Sequence, residues 1–168
     1  MEKDIVVSIT LHGKVENEIT WLDWYEYAKK IISQLGYNPN YISIESNSMK
    51  SGKVLKLKSK EKKIINLINS GENIEWLSIY SLPDEYDSAA FDYNMIATRN
   101  SNYLSVIVNK NDYVKLNVED TINDLKKFIE FRNGEIYEMH RDESPLLYAA
   151  GLNEISEFDT LKIIKKIE

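Results

Sequence analysis

The spacing of apolar residues changes along the chain, and this change constrains the fold more than any other feature of the sequence. Between residues 20 and 36, apolar side chains recur at helical spacing, and Gly36 follows where a left-handed C-terminal cap is expected. Between residues 91 and 98, apolar and polar side chains alternate, which is the pattern of a strand with one buried face. The two periods together predict helices packed against a β-sheet.

The remaining elements are predicted from apolar runs and from turn and capping residues. Strands are predicted at residues 4–11, 41–45, 74–82, 91–98, 103–108 and 135–140. Helices are predicted from a Thr20 cap to Gly36, from a Ser59 cap to Ser70, and from an Asn117 cap to Gly134. A hairpin turn is predicted at 99–102, a buried apolar segment at 146–151, and a short helix or a closing strand at 159–167.

This order of elements predicts the fold class. Helices flank the early strands, and short turns connect the later ones, which favours antiparallel pairing. We therefore expect one α+β domain over residues 1–168, with a mixed or mainly antiparallel sheet and with helices packed mostly on one face.

Composition and motifs exclude several functional classes. The chain has 168 residues, no cysteine and two histidines, so thiol nucleophiles, disulfides and Cys-ligated zinc are excluded. The usual sequence motifs for nucleotides, zinc and calcium are absent, as is the nucleophile elbow, and we expect neither a metal nor a cofactor. No apolar window of about 18 residues occurs, so we expect no membrane span. A reducing cytoplasmic location fits a chain without cysteine.

The two histidines are the candidates for acid–base chemistry. His12 follows the first predicted strand and precedes Gly13, a position where α/β enzymes often keep a catalytic group. His140 lies in EMHRDES, whose acidic residues could orient or charge it. Strand alternation places His140 on a mostly polar surface. A surface histidine without a chemical role fits this position as well as a catalytic histidine does. We assign no catalytic residue, and an enzyme or ligand-binding domain that uses either histidine is the alternative function.

Charge is distributed unevenly along the chain. Seven lysines lie between Lys50 and Lys63, against Glu61 alone. They could contact nucleic acid, but no aromatic residue lies among them and a solvated surface is the simpler interpretation. The formal charge is 21 − 27 = −6, which disfavours general nucleic-acid binding. Residues 72–92 have six acidic residues and no Lys or Arg, and only Arg141 opposes the acidic residues of 135–159.

The acidic segments predict a recognition surface for a basic protein. The loop SLPDEYDS and the turn RDES would form this surface if they lie on the same side of the sheet. Carboxylates would steer the encounter and tyrosines would anchor the complex, whereas ordinary solvated loops are the alternative. The candidate partner-binding residues are Asp84, Glu85, Tyr86, Asp87, Asp92, Tyr93, Asp142 and Glu143.

The sequence also resembles a known group of proteins. Its layout, with a Trp/Tyr-rich helix ending in LGYNP, the segment SLPDEYDSAAFDY and the late GEIYEMHRDESPLLYAAGL, resembles bacterial immunity proteins of polymorphic toxin and contact-dependent inhibition systems, including the immunity protein 52 group. The motif residues are Gly134, Tyr137, Pro145, Tyr148, Ala149 and Gly151. The resemblance implies a cytosolic protein that blocks one cognate toxin, often a basic nuclease, without catalysis. A phage-encoded blocker of a host defence protein would share these features, and no oligomeric state is implied.

Overall fold

A computed structural model describes residues 4–15, 21–50 and 53–168 of the chain. In chain order its elements are β1 (Ile5–Lys14), α1 (Trp21–Gln34), β2 (Tyr41–Ser46), β3 (Leu55–Lys56), α2 (Leu57–Asn69), β4 (Ile74–Ser81), β5 (Met95–Asn100), β6 (Tyr103–Asn109), α3 (Lys110–Tyr113), α4 (Val118–Leu125), β7 (Glu130–His140), α5 (Pro145–Ala150) and β8 (Lys162–Ile167). Short 3-10 turns lie at Lys126–Phe128, Arg141–Glu143 and Ile155–Glu157.

The chain divides into two compact units. The central unit comprises residues 17–101, and the terminal unit comprises residues 1–16 together with 102–168. Both units contain antiparallel strands and helices, so the predicted α+β class is confirmed. The prediction of a single domain over the whole chain stays a prediction.

In the central unit, α1 and α2 pack beside a sheet with the strand order β3-β2-β4-β5. Helix α1 contacts β4 and β5, and its Trp24 is buried with Nε1 donating a hydrogen bond to the Leu77 carbonyl oxygen at 3.0 Å. The helix ends as predicted, because Gly36 adopts a φ of +88° that favours glycine. Thr20, its predicted cap, lies outside the described residues.

In the terminal unit, the strand order is β6-β1-β7-β8, and β1 lies between two neighbours. Its residues from Val6 to Leu11 are all buried, as a β-branched run predicts. The pairing of β1 with β7 shifts register after His12. A side chain at Gly13 would collide there with the Glu130 carbonyl oxygen, so the close approach of the two backbones requires glycine.

Two predicted helix limits are wrong. Helix α2 begins at Leu57, and Ser59 lies inside it with its hydroxyl donating to the Lys56 carbonyl oxygen at 3.0 Å. The Asn117 cap is confirmed, since its Oδ1 accepts from the Asp120 N–H at 3.1 Å, but α4 ends at Leu125. Gly134 lies in β7 instead of ending a helix.

Two predictions around the middle strands are also wrong. The strand predicted from residue 91 begins at Met95, because the preceding residues form a hydrogen-bonded loop. Arg99 belongs to β5 and is buried under the Trp21 ring, so the predicted turn at 99–102 begins only after Asn100. Of the two alternatives for the tail, the closing strand is confirmed as β8.

Candidate functional site

The loop at 82–94 of the central unit holds three of the predicted carboxylates at its surface. Asp84, Glu85 and Asp87 are exposed, and none of them forms an ion pair within the ranges that the structure describes. Asp92 has a different role, because its Oδ2 accepts the backbone N–H groups of Asp87 at 2.9 Å and Ser88 at 2.7 Å. This half-buried carboxylate fixes the shape of the loop that displays the other three.

The two predicted tyrosine anchors differ in accessibility. Tyr93 is only 1% exposed, so the prediction that it lies on the recognition surface is wrong. Tyr93 lies two residues before β5, and its side chain turns into the core, as does that of Met95 at the start of the strand. Tyr86 is half-buried and packs edge-on against Tyr41, with ring centroids 5.3 Å apart. Partial burial and a hydrogen bond with Tyr41 raise the pKa of Tyr86.

The predicted turn of the terminal unit is held by one of its own carboxylates. Glu143 accepts the backbone N–H groups of Asp159 and Thr160, both at 2.7 Å, and the hydroxyl of Thr160. Burial acts to raise the pKa of Glu143, but these hydrogen bonds outweigh it and the pKa is lowered. Asp142 is exposed, with Oδ2 at 3.5 Å from Nδ1 of His140. Glu143 therefore ties the turn to the chain 16 and 17 residues later.

The predicted residues are divided between the two units. Asp84, Glu85, Asp87 and their loop belong to the central unit, whereas Asp142 and Glu143 belong to the terminal unit. Each acidic segment is therefore described by itself, and their union in one face stays a prediction.

The structure reveals exposed apolar residues that the sequence analysis missed. The segment 146–151 was expected to be buried, yet Leu147 is 47% exposed, and beyond it Leu152 is 84% and Ile155 is 68% exposed. They lie among acidic residues, and no Lys or Arg occurs between residues 142 and 161. We call residues 142–159 the acidic–apolar segment. Its sequence signal is the combination of large apolar residues with carboxylates and the absence of Lys and Arg.

An aromatic cluster beneath the acidic–apolar segment explains why its outer residues face away. Tyr148 packs edge-on against Tyr137 at 4.7 Å and against Phe158 at 5.6 Å between ring centroids. The Tyr137 hydroxyl donates to the Pro145 carbonyl oxygen at 3.0 Å, and the Tyr148 hydroxyl donates to Glu135 at 2.6 Å. Burial and this carboxylate raise the pKa of Tyr148. With these rings and Ala149 turned inward, Leu147, Leu152 and Ile155 are left exposed.

The turns at both ends of α5 complete this arrangement. Ser144 adopts a φ of +58°, which is unusual for a residue with a side chain, and its hydroxyl accepts the Leu147 N–H at 3.4 Å. Gly151 ends the helix in the left-handed conformation, with φ at +69°. Of the residues that carry the resemblance, all except Gly134 therefore lie in this packing or at the ends of α5, whereas Gly134 pairs with β1 and β8.

The two histidines occupy different surroundings in the terminal unit. His12 is half-buried, and its ring centroid lies 6.0 Å from that of Tyr103. Burial lowers the pKa of His12, Glu135 opposes this effect and Arg132 adds to it.

The central unit has a cleft of about 890 Å³, and the terminal unit has one of about 550 Å³ between α4 and β8. Neither histidine lines either cleft.

Comparisons with known proteins do not extend these observations. No model of a protein family matches the chain, and no curated protein or solved structure matches it. Across residues 4–15, 21–50 and 53–168, no three His, Asp or Glu residues are grouped as metal ligands. In the same ranges, no helix has both the length and the apolar character that crossing a membrane requires.

Proposed function

We propose that the protein is an immunity protein that neutralises a cognate toxin, a basic nuclease-type effector, by stoichiometric binding in the cytoplasm and without catalysis. The acidic–apolar segment is its contact surface in this proposal. The observation that carries it is the exposure of Leu152 and Ile155 within a stretch that has no basic residue. Exposed apolar groups beside carboxylates, with no basic residue among them, are typical of a surface that binds a cationic protein.

The charges and the apolar side chains have separate tasks in such binding. Asp142, Glu154 and Asp159 act at a distance, because a negative field raises the rate at which a cationic partner arrives. Nucleases present cationic surfaces to the phosphates of their substrate, so a protein that occupies such a surface also excludes the substrate. Leu152 and Ile155 act at contact, where burying each is worth about 1.5–3 kcal/mol.

The loop at 82–94 supplies a second group of negative charges. Asp84, Glu85 and Asp87 have no ion pair among the described residues, and Tyr86 beside them is partly accessible. In the proposal they increase the attraction of a basic partner, while Asp92 and Glu143 keep their segments in shape.

The proposal is tested by expressing the protein together with the product of the adjacent gene and then expressing that product alone. We expect a stoichiometric complex, and toxicity only when the neighbour is alone. In the purified complex, Leu152→Ser with Ile155→Ser should raise the Kd about 100-fold, since about 1.4 kcal/mol corresponds to each factor of ten.

A matched control separates contact from a general effect of removing surface apolar groups. Val114 is 81% exposed in the same unit but lies outside the acidic–apolar segment, and Val114→Ser should leave the Kd unchanged. A neighbour that neither binds nor is toxic would refute the function. A stable complex whose Kd is insensitive to the double substitution would retain the function and refute this contact surface.

A further inference from the structure

The cleft of the central unit is a feature that the proposed function does not use. Its walls are α1, the segment from Asn38 to Tyr41, Lys56 of β3, and one side of α2 from Leu57 to Asn66. Its volume of about 890 Å³ lies within the range of small-molecule sites, which is roughly 300–1,000 Å³. A ligand of nucleotide size therefore fits between the two helices and the start of β2.

The walls of this cleft are cationic, although the chain as a whole is acidic. Lys29, Lys56, Lys58 and Lys62 line it, against the carboxylate of Glu61. Glu61 pairs with Lys29 at 3.5 Å. The other three lysines form no ion pair with any residue in the ranges 4–15, 21–50 and 53–168. Their mutual repulsion would be relieved by a bound anion, and phosphate is an anion that lysine binds well.

The cleft also supplies the aromatic group that the basic sequence lacks. Tyr41 comes from β2, outside the lysine-rich stretch, and the fold places it in the same lining as Leu57 and Ile65. The ring of Tyr86 forms a T-shaped pair with that of Tyr41, which restrains the Tyr41 ring. An aromatic ring beside lysines matches a planar base that carries a phosphate, because bases stack on aromatic side chains irrespective of sequence.

We propose that this cleft binds a nucleoside phosphate, with Lys56, Lys58 and Lys62 contacting the phosphate groups and Tyr41 contacting the base. Asn38 and Asn66 line the same cleft and offer amide groups to the sugar or the base. The same chemistry is presented by a free nucleotide and by the phosphorylated end of a nucleic acid. The inference does not rest on the proposed function, because none of these residues belongs to the acidic–apolar segment.

Isothermal titration calorimetry on the full chain tests the inference, with ADP, inorganic pyrophosphate and a short 5′-phosphorylated oligonucleotide as probes. We expect saturable binding of ADP that weakens with salt. Lys58→Gln with Lys62→Gln should raise its Kd about tenfold, since each lost phosphate contact is charge-assisted. Tyr41→Leu should weaken ADP about fivefold while leaving pyrophosphate unchanged, because only the nucleotide has a base to stack.

The control lies on the same helix and removes the same charge. Lys60 and Lys63 belong to α2 but do not line the cleft, so Lys60→Gln with Lys63→Gln should change the Kd less than about twofold. Glu61→Gln should act in the opposite direction and tighten ADP binding, because it removes a negative charge from the lining. All these side chains are at least partly exposed, so the variants should fold, and unchanged circular dichroism checks this.

The probes and variants together distinguish a specific nucleotide site from attraction to the general surface charge. ADP binding that depends on Lys58, Lys62 and Tyr41 supports the site, and tighter binding of the oligonucleotide than of ADP assigns the phosphate to a nucleic-acid end. No saturable binding of any probe overturns it. Equal weakening by the two lysine pairs also overturns it, because it would show attraction to the general surface charge.

Discussion

The two acidic segments of the protein resemble each other in sequence but differ in how they direct their apolar side chains. In the loop at 82–94, Tyr93 turns into the core and Tyr86 packs against Tyr41, while Phe91 is 38% exposed. In the acidic–apolar segment, Tyr148 turns inward, but Leu152 and Ile155 remain exposed. Charge therefore identifies both segments as candidates, and the greater exposure of Leu152 and Ile155 favours the acidic–apolar segment as the contact surface.

The largest expected effect tests whether the two tyrosines of the loop differ as their burial indicates. Tyr93→Ala should lower the free energy of unfolding by about 3–5 kcal/mol, because it empties a ring-sized volume in the core. Tyr86→Ala removes a half-buried ring and should cost about 1 kcal/mol. Denaturation in urea measures both. Equal losses would contradict the assignment of one tyrosine to the core and the other to the surface.

The second prediction compares the charges of the two segments and assumes the proposed partner. Glu154→Lys with Glu157→Lys should slow association about tenfold at low salt, because these residues adjoin the apolar contact. Asp84→Lys with Asp87→Lys makes the same change in net charge away from that contact and should slow it about threefold. Stopped-flow measurements at two salt concentrations give both rates. A larger effect from the Asp84 and Asp87 pair would move the contact surface to the loop.

The elements that the sequence predicts well are those whose signal is local. The first strand is a β-branched run, and the helix from Val118 has an Asn117 cap that accepts the Asp120 N–H. The errors occur where distant contacts decide. Gly134 suggests a helix end, but a side chain there would lie 2.7 Å from the Thr10 carbonyl oxygen, so its role is close strand packing.

The candidate site shows the same division between local and distant causes. The positions of exposed carboxylates such as Asp84 follow from a polar loop sequence, and they were predicted. The outward position of Leu147 depends on Tyr148 meeting Tyr137 and Phe158, residues 11 and 10 positions away in other elements. Sequence alone therefore expected the whole apolar run to be buried, although only part of it is.

The third prediction compares the carboxylates that hold the two segments. Glu143→Gln and Asp92→Asn each replace a charged acceptor of two backbone N–H groups with a neutral one. Each should cost about 1 kcal/mol, less than a fully buried charge-assisted pair because both groups are partly exposed. Hydrogen exchange should accelerate at Asp159 and Thr160 in the first variant and at Asp87 and Ser88 in the second. Faster hydrogen exchange throughout both units would contradict a purely local role for the hydrogen bonds of these carboxylates.

The smallest expected effect is the response of the acidic–apolar segment to pH. Because hydrogen bonding lowers the pKa of Glu143 in the folded state, the ionised form stabilises the segment above the unfolded pKa. This contribution is lost as the pH falls from the unfolded pKa through the folded one, when protonation weakens the bonds to Asp159 and Thr160. In NMR spectra their amide signals should shift together in that range, and Glu143→Gln should abolish the joint shift. Signals that still shift together in the variant would assign the transition to another carboxylate and leave Glu143 without this role.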